Sequence, residues 1–294
     1  MQANVSRPPY APPEPAIRDQ IIGAEGCPLF YQSWDPVGDA RGLVLICPGI
    51  DDHSDRYPHL VQTLTQHGYA TVAYDHRGNG RSGGTRLHVD RFDQYVQDLA
   101  TMRQQARALW PDLPWFLFAH SMGSTVALSY LVQELPPPNG LISSGTALMV
   151  GDGFSPFLLT LNRALAGIFP RLRLVSLPRE GISRDEAWMA WSNNDPLVVR
   201  KPGTARLGTE LLDTLETLRD HLEEIDVPLL ILHGTADCLI DPEGAKLLYR
   251  TARSPDKTLR LYEGAYHEIV NDLRDTSEAA LKEIALWLDH LSQS

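Results

Sequence analysis

Four short runs of uninterrupted apolar residues constrain this chain's fold more than anything else in it. They are Gly42–Cys47, Ala70–Tyr74, Trp115–Ala119 and Leu229–Leu232, bounded by turn formers such as Pro48 and Gly49. A strand that is apolar at every position must be covered on both faces, the situation of a parallel sheet with helices above and below. Helix-period stretches lie between the runs, notably Phe92–Trp110, Thr125–Glu134 and Leu207–Glu224. Buried strands alternating with helices predict an α/β fold with a mostly parallel central sheet. Asp19–Ile22 and Leu29–Trp34, around Gly23 and Gly26, predict a β-hairpin ahead of it, and Thr258–Tyr262 a short last strand.

The alternation lapses between about Leu148 and Arg206, where no clean buried strand occurs. That break predicts an inserted, mostly helical cap over 148–206, set into a core of 16–147 and 207–294. Pro8, Pro9, Pro12, Pro13 and Pro15 make the first fifteen residues a disordered, Pro-rich arm. Gly153 to Pro170 is rich in Phe and Leu with one charge, Arg163. It is marginal in length for a membrane span and is interrupted by Pro156, Asn162 and Pro170, so it reads as part of the globular fold.

A formal net charge of -11 argues against a nucleic-acid surface, which needs a positive field. Cys27, Cys47 and Cys238 form no CxxC pair and no metal spacing, and so read as free thiols of a reducing compartment. With no basic-then-apolar leader at the N-terminus, the expectation is a cytoplasmic protein.

The strongest chemical signal is Ala119-His120-Ser121-Met122-Gly123, directly after an apolar strand and opening a helix. Such a strand-to-helix turn holds a serine in a strained conformation with its hydroxyl exposed, and small residues two positions either side let strand and helix touch. A serine that merely caps a helix is the bland alternative. The nucleophile of this fold is followed in the chain by an acid and then a histidine. Of the later histidines, His290 belongs to an amphipathic C-terminal helix, His221 lies mid-helix among charges, and His233 ends a strand as a packed residue. His267, in the loop after the last strand, is the candidate base. The acid is Asp237 or Asp241; Asp241 before Pro242 is well explained as a helix N-cap, which favours Asp237. One oxyanion donor is the Met122 N–H, at the positive end of the helix, and the other should lie within Pro48–His53. The Asp51, Asp52, His53, Asp55 cluster has no partner ligands elsewhere and does not read as a metal site.

Several segments together resemble the monoacylglycerol lipase and lysophospholipase family of α/β-hydrolases, from about Gly42 to the C-terminal helix. They are His53-Ser54-Asp55-Arg56-Tyr57, Asp75-His76-Arg77-Gly78-Asn79-Gly80-Arg81-Ser82, His120-Ser121-Met122-Gly123, Asn194-Asp195-Pro196-Leu197, His233-Gly234-Thr235-Ala236-Asp237 and Tyr262-Glu263-Gly264-Ala265-Tyr266-His267. The resemblance implies the α/β-hydrolase fold with a cap, a triad of Ser121, Asp237 and His267, and oxyanion amides at Ile50 and Met122. It makes Asp75–Ser82 a loop buttressing the site. It implies a lipid ester substrate and no cofactor. One departure stands out: the family's His-Gly-x-Gly turn is here Pro48-Gly49-Ile50-Asp51. Asp51 in place of the second Gly bears on the entrance and the alcohol-side pocket.

Ser121 argues against the dehalogenases and epoxide hydrolases of this fold, which use an Asp nucleophile. A thioesterase, a C–C hydrolase, an aminopeptidase with the same triad, or a catalytically silent receptor remain the alternatives. The apolar stretch Phe154–Phe169 is expected to line an acyl channel, touch a lipid surface, or simply pack against the core.

Overall fold

The computed structural model describes residues 12–151, 156–176 and 178–292, excepting the side chains of 156–159 and 175. Its centre is an eight-stranded sheet in the order β1-β2-β4-β3-β5-β6-β9-β10. The strands are β1 Ile17–Ile22, β2 Pro28–Trp34, β3 Gly42–Cys47, β4 Tyr69–Tyr74, β5 Trp115–His120, β6 Gly140–Ser144, β9 Leu229–Gly234 and β10 Lys257–Tyr262. The β1–β2 hairpin and the β2–β4 pair are antiparallel, and the other pairings in this sheet are parallel. A mostly parallel sheet flanked by helices is the α/β architecture the sequence predicts.

The apolar runs are continuous because each feeds two cores. Along β3, Leu43, Leu45 and Cys47 point into one core while Val44 and Ile46 point into the other. On β5, Trp115, Leu117 and Ala119 alternate in the same way with Phe116 and Phe118. Helices α2 Asp93–Leu109, α3 Met122–Val132 and α7 Pro242–Thr251 pack on the first face, through residues such as Leu99, Val126 and Leu248. Helices α1 Pro58–Gln66 and α8 Arg274–Leu291 cover the second with Leu60, Leu64, Ile284 and Leu288.

Between β6 and β9 the chain forms α4 Pro156–Ala166, β7 Arg173–Val175, α5 Glu186–Asn194, β8 Gly203–Thr204 and α6 Ala205–Arg219. The β7–β8 antiparallel ribbon is an addition to the expected helical segment. Helix α4 lies against α6, and Asn162 fixes the contact by donating to the Ala205 carbonyl (2.9 Å) and the Thr209 hydroxyl (3.0 Å). Pro156 starts α4, where its missing N–H is harmless. Among the described residues no helix is long and apolar enough to cross a membrane.

Several expectations need correction. Helix α6 ends at Arg219, so His221 lies in the following turn, paired with Glu224 (2.7 Å), and not mid-helix. Helix α3 starts at Met122, directly after Ser121 as expected, and extends the periodic stretch Thr125–Glu134 toward the N-terminus. Part of the Pro-rich arm is tied to the fold, because the Pro13 carbonyl accepts the Trp34 indole N–H (2.8 Å). The remainder of the Pro-rich arm, residues 1–11, lies outside the described residues.

Candidate active site

Ser121 sits between β5 and α3 with φ 54° and ψ -124°, a left-handed backbone that a serine adopts only under constraint. The constraint is visible on both sides. The Ser121 N–H donates to the Ser144 carbonyl at the end of β6 (2.9 Å), and its own carbonyl accepts from the Ser124 N–H (2.8 Å). Gly123 is required by proximity: a Cβ there would lie 2.3 Å from the Cys47 carbonyl oxygen and 2.5 Å from that of Pro48. Helix α3 therefore starts pressed against the end of β3, and Met122 heads it with the positive end of the helix dipole.

Asp237 follows β9 and His267 follows β10, and the two neighbouring strands bring them together. Gly234, which ends β9, has room for no Cβ, since one would lie 2.3 Å from the carbonyl oxygens of Ala265 and Tyr266. That approach places His267 Nδ1 2.6 Å from Asp237 Oδ2. The other carboxylate oxygen, Oδ1, accepts the N–H groups of Leu239 (2.9 Å) and Ile240 (3.1 Å). Burial alone would raise the Asp237 pKa, but His267 and His233 outweigh it and hold the carboxyl well below the usual range. Burial lowers the His267 pKa, and Asp237, helped by Glu268 and Asp52, more than reverses this.

Asp241 caps α7, accepting the Glu243 N–H at 2.9 Å. His290 is exposed on α8. His233 is a correction: its Nε2 is 3.2 Å from Asp237 Oδ2 and 3.3 Å from the Ile240 carbonyl, so it braces the carboxylate instead of merely packing. His120, beside Ser121, stacks at a tilt on His267 with ring centroids 4.8 Å apart. Burial and the neighbouring His267 push the His120 pKa down to about 3, which leaves it neutral.

Ser121, Met122, Ile50 and His267 line one cavity. In the turn after β3, the amides on either side of Ile50 are engaged. The Gly49 N–H faces Tyr57 Oη (3.3 Å) and Asp52 (3.4 Å), and the Asp51 N–H donates to Asn79 Oδ1 (3.0 Å). The loop Asp75–Ser82 supports this turn: His76 Nε2 is 3.0 Å from the Pro48 carbonyl, and Asp75 accepts the Ser54 N–H (2.7 Å).

One wall of the cavity is apolar, built by Leu207, Leu211 and Leu215 of α6 with Val150, Val198 and Leu239. Sequence reasoning missed α6 here and looked instead to the stretch Phe154–Phe169. Within the described part of that stretch Leu161 is exposed, and the cavity-lining residue is Asn162. Phe154 lies outside the described residues.

Asp52, Arg56, Ser192 and Glu268 also line the cavity, and these polar groups are engaged by protein partners. Buried Arg56 pairs with Asp52 (2.8 Å) and Glu268 (2.7 Å), donates to Ser192 Oγ (2.7 Å), and lies over the rings of Trp188 and Trp191. Glu268 also accepts from the Trp188 indole (2.7 Å) and Asn271 (3.0 Å). Arg56 holds the Glu268 carboxyl down at about 2 despite its burial. The acidic cluster Asp52, His53 and Asp55 is held by protein partners: Asp52 by Arg56 and Tyr57, His53 by Asp195 (2.8 Å), and Asp55 by Arg81.

A strained serine, an Asp-bonded imidazole and a helix N-terminus beside a largely apolar cavity are the parts of acyl-transfer chemistry. Residues 38–274 match the family described as serine aminopeptidase S33. The chain belongs to this family of α/β-hydrolases. Within it, the chain is 31% identical over 268 residues to a monoacylglycerol lipase of Mycolicibacterium smegmatis, spanning 91% of this chain and 95% of that one. It is also 31% identical to the human monoglyceride lipase over 269 residues, 91% of this chain and 89% of the relative. A soluble variant of the Saccharomyces cerevisiae monoglyceride lipase, solved with a substrate analog, superposes with a TM-score of 0.87 at 25% identity over 98% of both chains. The α/β-hydrolase fold therefore extends over nearly the whole chain.

Proposed function

We propose that this hydrolase cleaves carboxylic esters of lipids, of the monoacylglycerol or lysophospholipid type, with Ser121 as nucleophile, His267 as base and Asp237 as the orienting acid. The observation that carries the reading is the His267–Asp237 bond at 2.6 Å beside the strained Ser121 in one cavity. His267 takes the Ser121 proton through Nε2 as Oγ attacks the ester carbonyl, and Asp237 stabilises the resulting imidazolium. The Ile50 and Met122 amides hold the oxyanion. The imidazolium returns its proton to the departing alcohol, leaving an acyl-enzyme. Water then attacks with the same base, releasing the acid and restoring Ser121.

The apolar α6 wall suits an acyl chain and the Arg56 end a polar alcohol, in keeping with the names of the relatives. An aminopeptidase needs a free carboxylate for its substrate's amino group. Asp51, Asp52 and Glu268 are engaged by Val199, Arg56, Tyr57 and Trp188, which weighs against that reading. Residues 148–206 act as a cap on a core of 16–147 and 207–294, and its exposed Ile168, Phe169 and Leu172 suit passing contact with a lipid interface. Three free cysteines fit a cytoplasmic setting.

The test is turnover of monoacylglycerols and p-nitrophenyl esters of graded length, with fluorophosphonate labelling. Ser121→Ala is expected to abolish both labelling and turnover, a loss on the order of 10⁶-fold, with an unchanged unfolding transition. Turnover surviving in a folded Ser121→Ala variant refutes the reading.

A further inference from the structure

The turn that carries Ile50 does not stand alone. The segment 192–200, from the last turn of α5 onward, grips it at three places. His53 bonds Asp195 (2.8 Å), Arg56 donates to Ser192 (2.7 Å), and the Asp51 carboxylate accepts the Val199 N–H (2.7 Å) and, at longer range, the Arg200 N–H (3.5 Å). Asp51 is the member of this set adjacent to Ile50 in the chain. It has φ 54°, and Arg200 across the contact has φ 52°. Two non-glycine residues in the left-handed region, facing each other across one contact, show that this junction is held by the fold against local preference.

We propose that Asp51 is a positioning residue: by accepting the amide protons of Val199 and Arg200 it locks the cap segment to the turn and keeps the neighbouring Ile50 amide aimed into the cavity. The proposal rests on the ester-hydrolase reading above. Asn79 takes the Asp51 N–H from the other side (3.0 Å), so residue 51 is clamped at both its backbone and its side chain. The same tie seats Val198, which lines the cavity beside Ile50. A carboxylate this near a developing oxyanion would repel it if its charge were idle. Here the charge is spent on backbone amides, the stronger kind of hydrogen bond. A glycine at this position would supply the left-handed backbone without the tie.

That difference defines the experiment, made on the full chain. Asp51→Gly keeps the backbone conformation and removes the acceptor. Asp51→Asn keeps an acceptor oxygen and tolerates the left-handed region. The readouts are kcat and KM on p-nitrophenyl acetate and octanoate, and hydrogen exchange at the Val199 amide. Asp51→Gly is expected to exchange faster at Val199 and to lose kcat by about ten- to a hundredfold on both esters, with KM little changed. That is below the roughly 10²–10³-fold loss of a whole oxyanion donor. Asp51→Asn should restore kcat to within about threefold of the wild type, as one retained acceptor requires.

Wild-type kcat in Asp51→Gly, unchanged Val199 exchange, or Asp51→Asn as slow as Asp51→Gly would each overturn the proposal. So would a loss confined to octanoate or to KM, which would make Asp51 a shaper of the pocket through Val198. Wild-type protein without ester turnover, or turnover surviving Ser121→Ala, would fell the hydrolase reading and this proposal with it. That failure is distinguishable, because a change in Val199 exchange would still register the tie.

Discussion

Replacing Asp237 with Asn removes a charge and also fixes the wrong proton on His267. Asp237 Oδ1 accepts the amides of Leu239 and Ile240, so an Asn must keep its carbonyl oxygen on that side. Its NH₂ is then forced into the Oδ2 position, facing His267 Nδ1 at 2.6 Å and His233 Nε2 at 3.2 Å. With a donor opposite it, His267 Nδ1 must accept, which leaves the proton on Nε2 and no base for Ser121. The same tautomer trap lowers kcat by about 10⁴-fold in chymotrypsin-like enzymes, or about 5 kcal/mol of barrier. Stability should change little, because both Oδ1 bonds survive. Stopped-flow kcat on p-nitrophenyl butyrate, with thermal unfolding by circular dichroism, measures both quantities. Asp241→Asn is the control: it still caps α7, so activity and stability stay near wild type, whereas Asp241→Ala costs about 1 kcal/mol of stability and little rate. A folded Asp237→Asn variant within about a hundredfold of wild type refutes the reasoning.

The pH dependence has a definite sign. His267 must be neutral to accept a proton, and its pKa is raised above the ordinary 6.5, so kcat/KM should fall as pH drops through a value above 6.5; an acid limb at or below 6.5 contradicts the Asp237 contact. For chain-length preference, Leu211→Gln on the α6 wall should reduce kcat/KM for octanoate relative to butyrate by about fourfold per methylene that loses its apolar contact. Leu161→Lys, on the exposed side of α4, should leave that ratio unchanged, and a shift with Leu161 but not Leu211 would move the acyl wall to α4.

Where the candidate site coincides with local pattern, it is legible in the sequence. Ser121 is marked by an apolar strand before it and a small residue after it, and His267 and Asp237 by their places behind two strands. Strand β6 leaves no apolar run because three of the five residues of Gly140-Leu141-Ile142-Ser143-Ser144 are serine or glycine. Its serines are tolerable inside because their neighbours satisfy them, as when Ser143 Oγ meets Thr146 Oγ1 at 2.7 Å. The β7–β8 ribbon is too short to leave a period. The Arg56–Glu268 pair and the Asp51–Val199 contact join positions 212 and 148 residues apart. No window of local sequence contains both partners, so such contacts become visible only once the chain has closed on itself. Helix α6 was recognised as a helix, but which of its neighbours its leucines face is a tertiary fact.

The sheet order gives the chain a timetable. Strand β5, with Ser121 at its tip, lies in the middle of the sheet, whereas β9 and β10, which deliver Asp237 and His267, are added at its edge from the last third of the sequence. Domains made on the ribosome emerge N-terminal end first, and long-range pairings close last. A nascent or clipped chain can therefore display its serine without a base to deprotonate it. On the proposed triad, Ser121 is expected to become reactive only once β10 has docked. Catalytic rate per molecule consequently counts completed chains, and burst labelling of Ser121 during refolding would time the docking of β10.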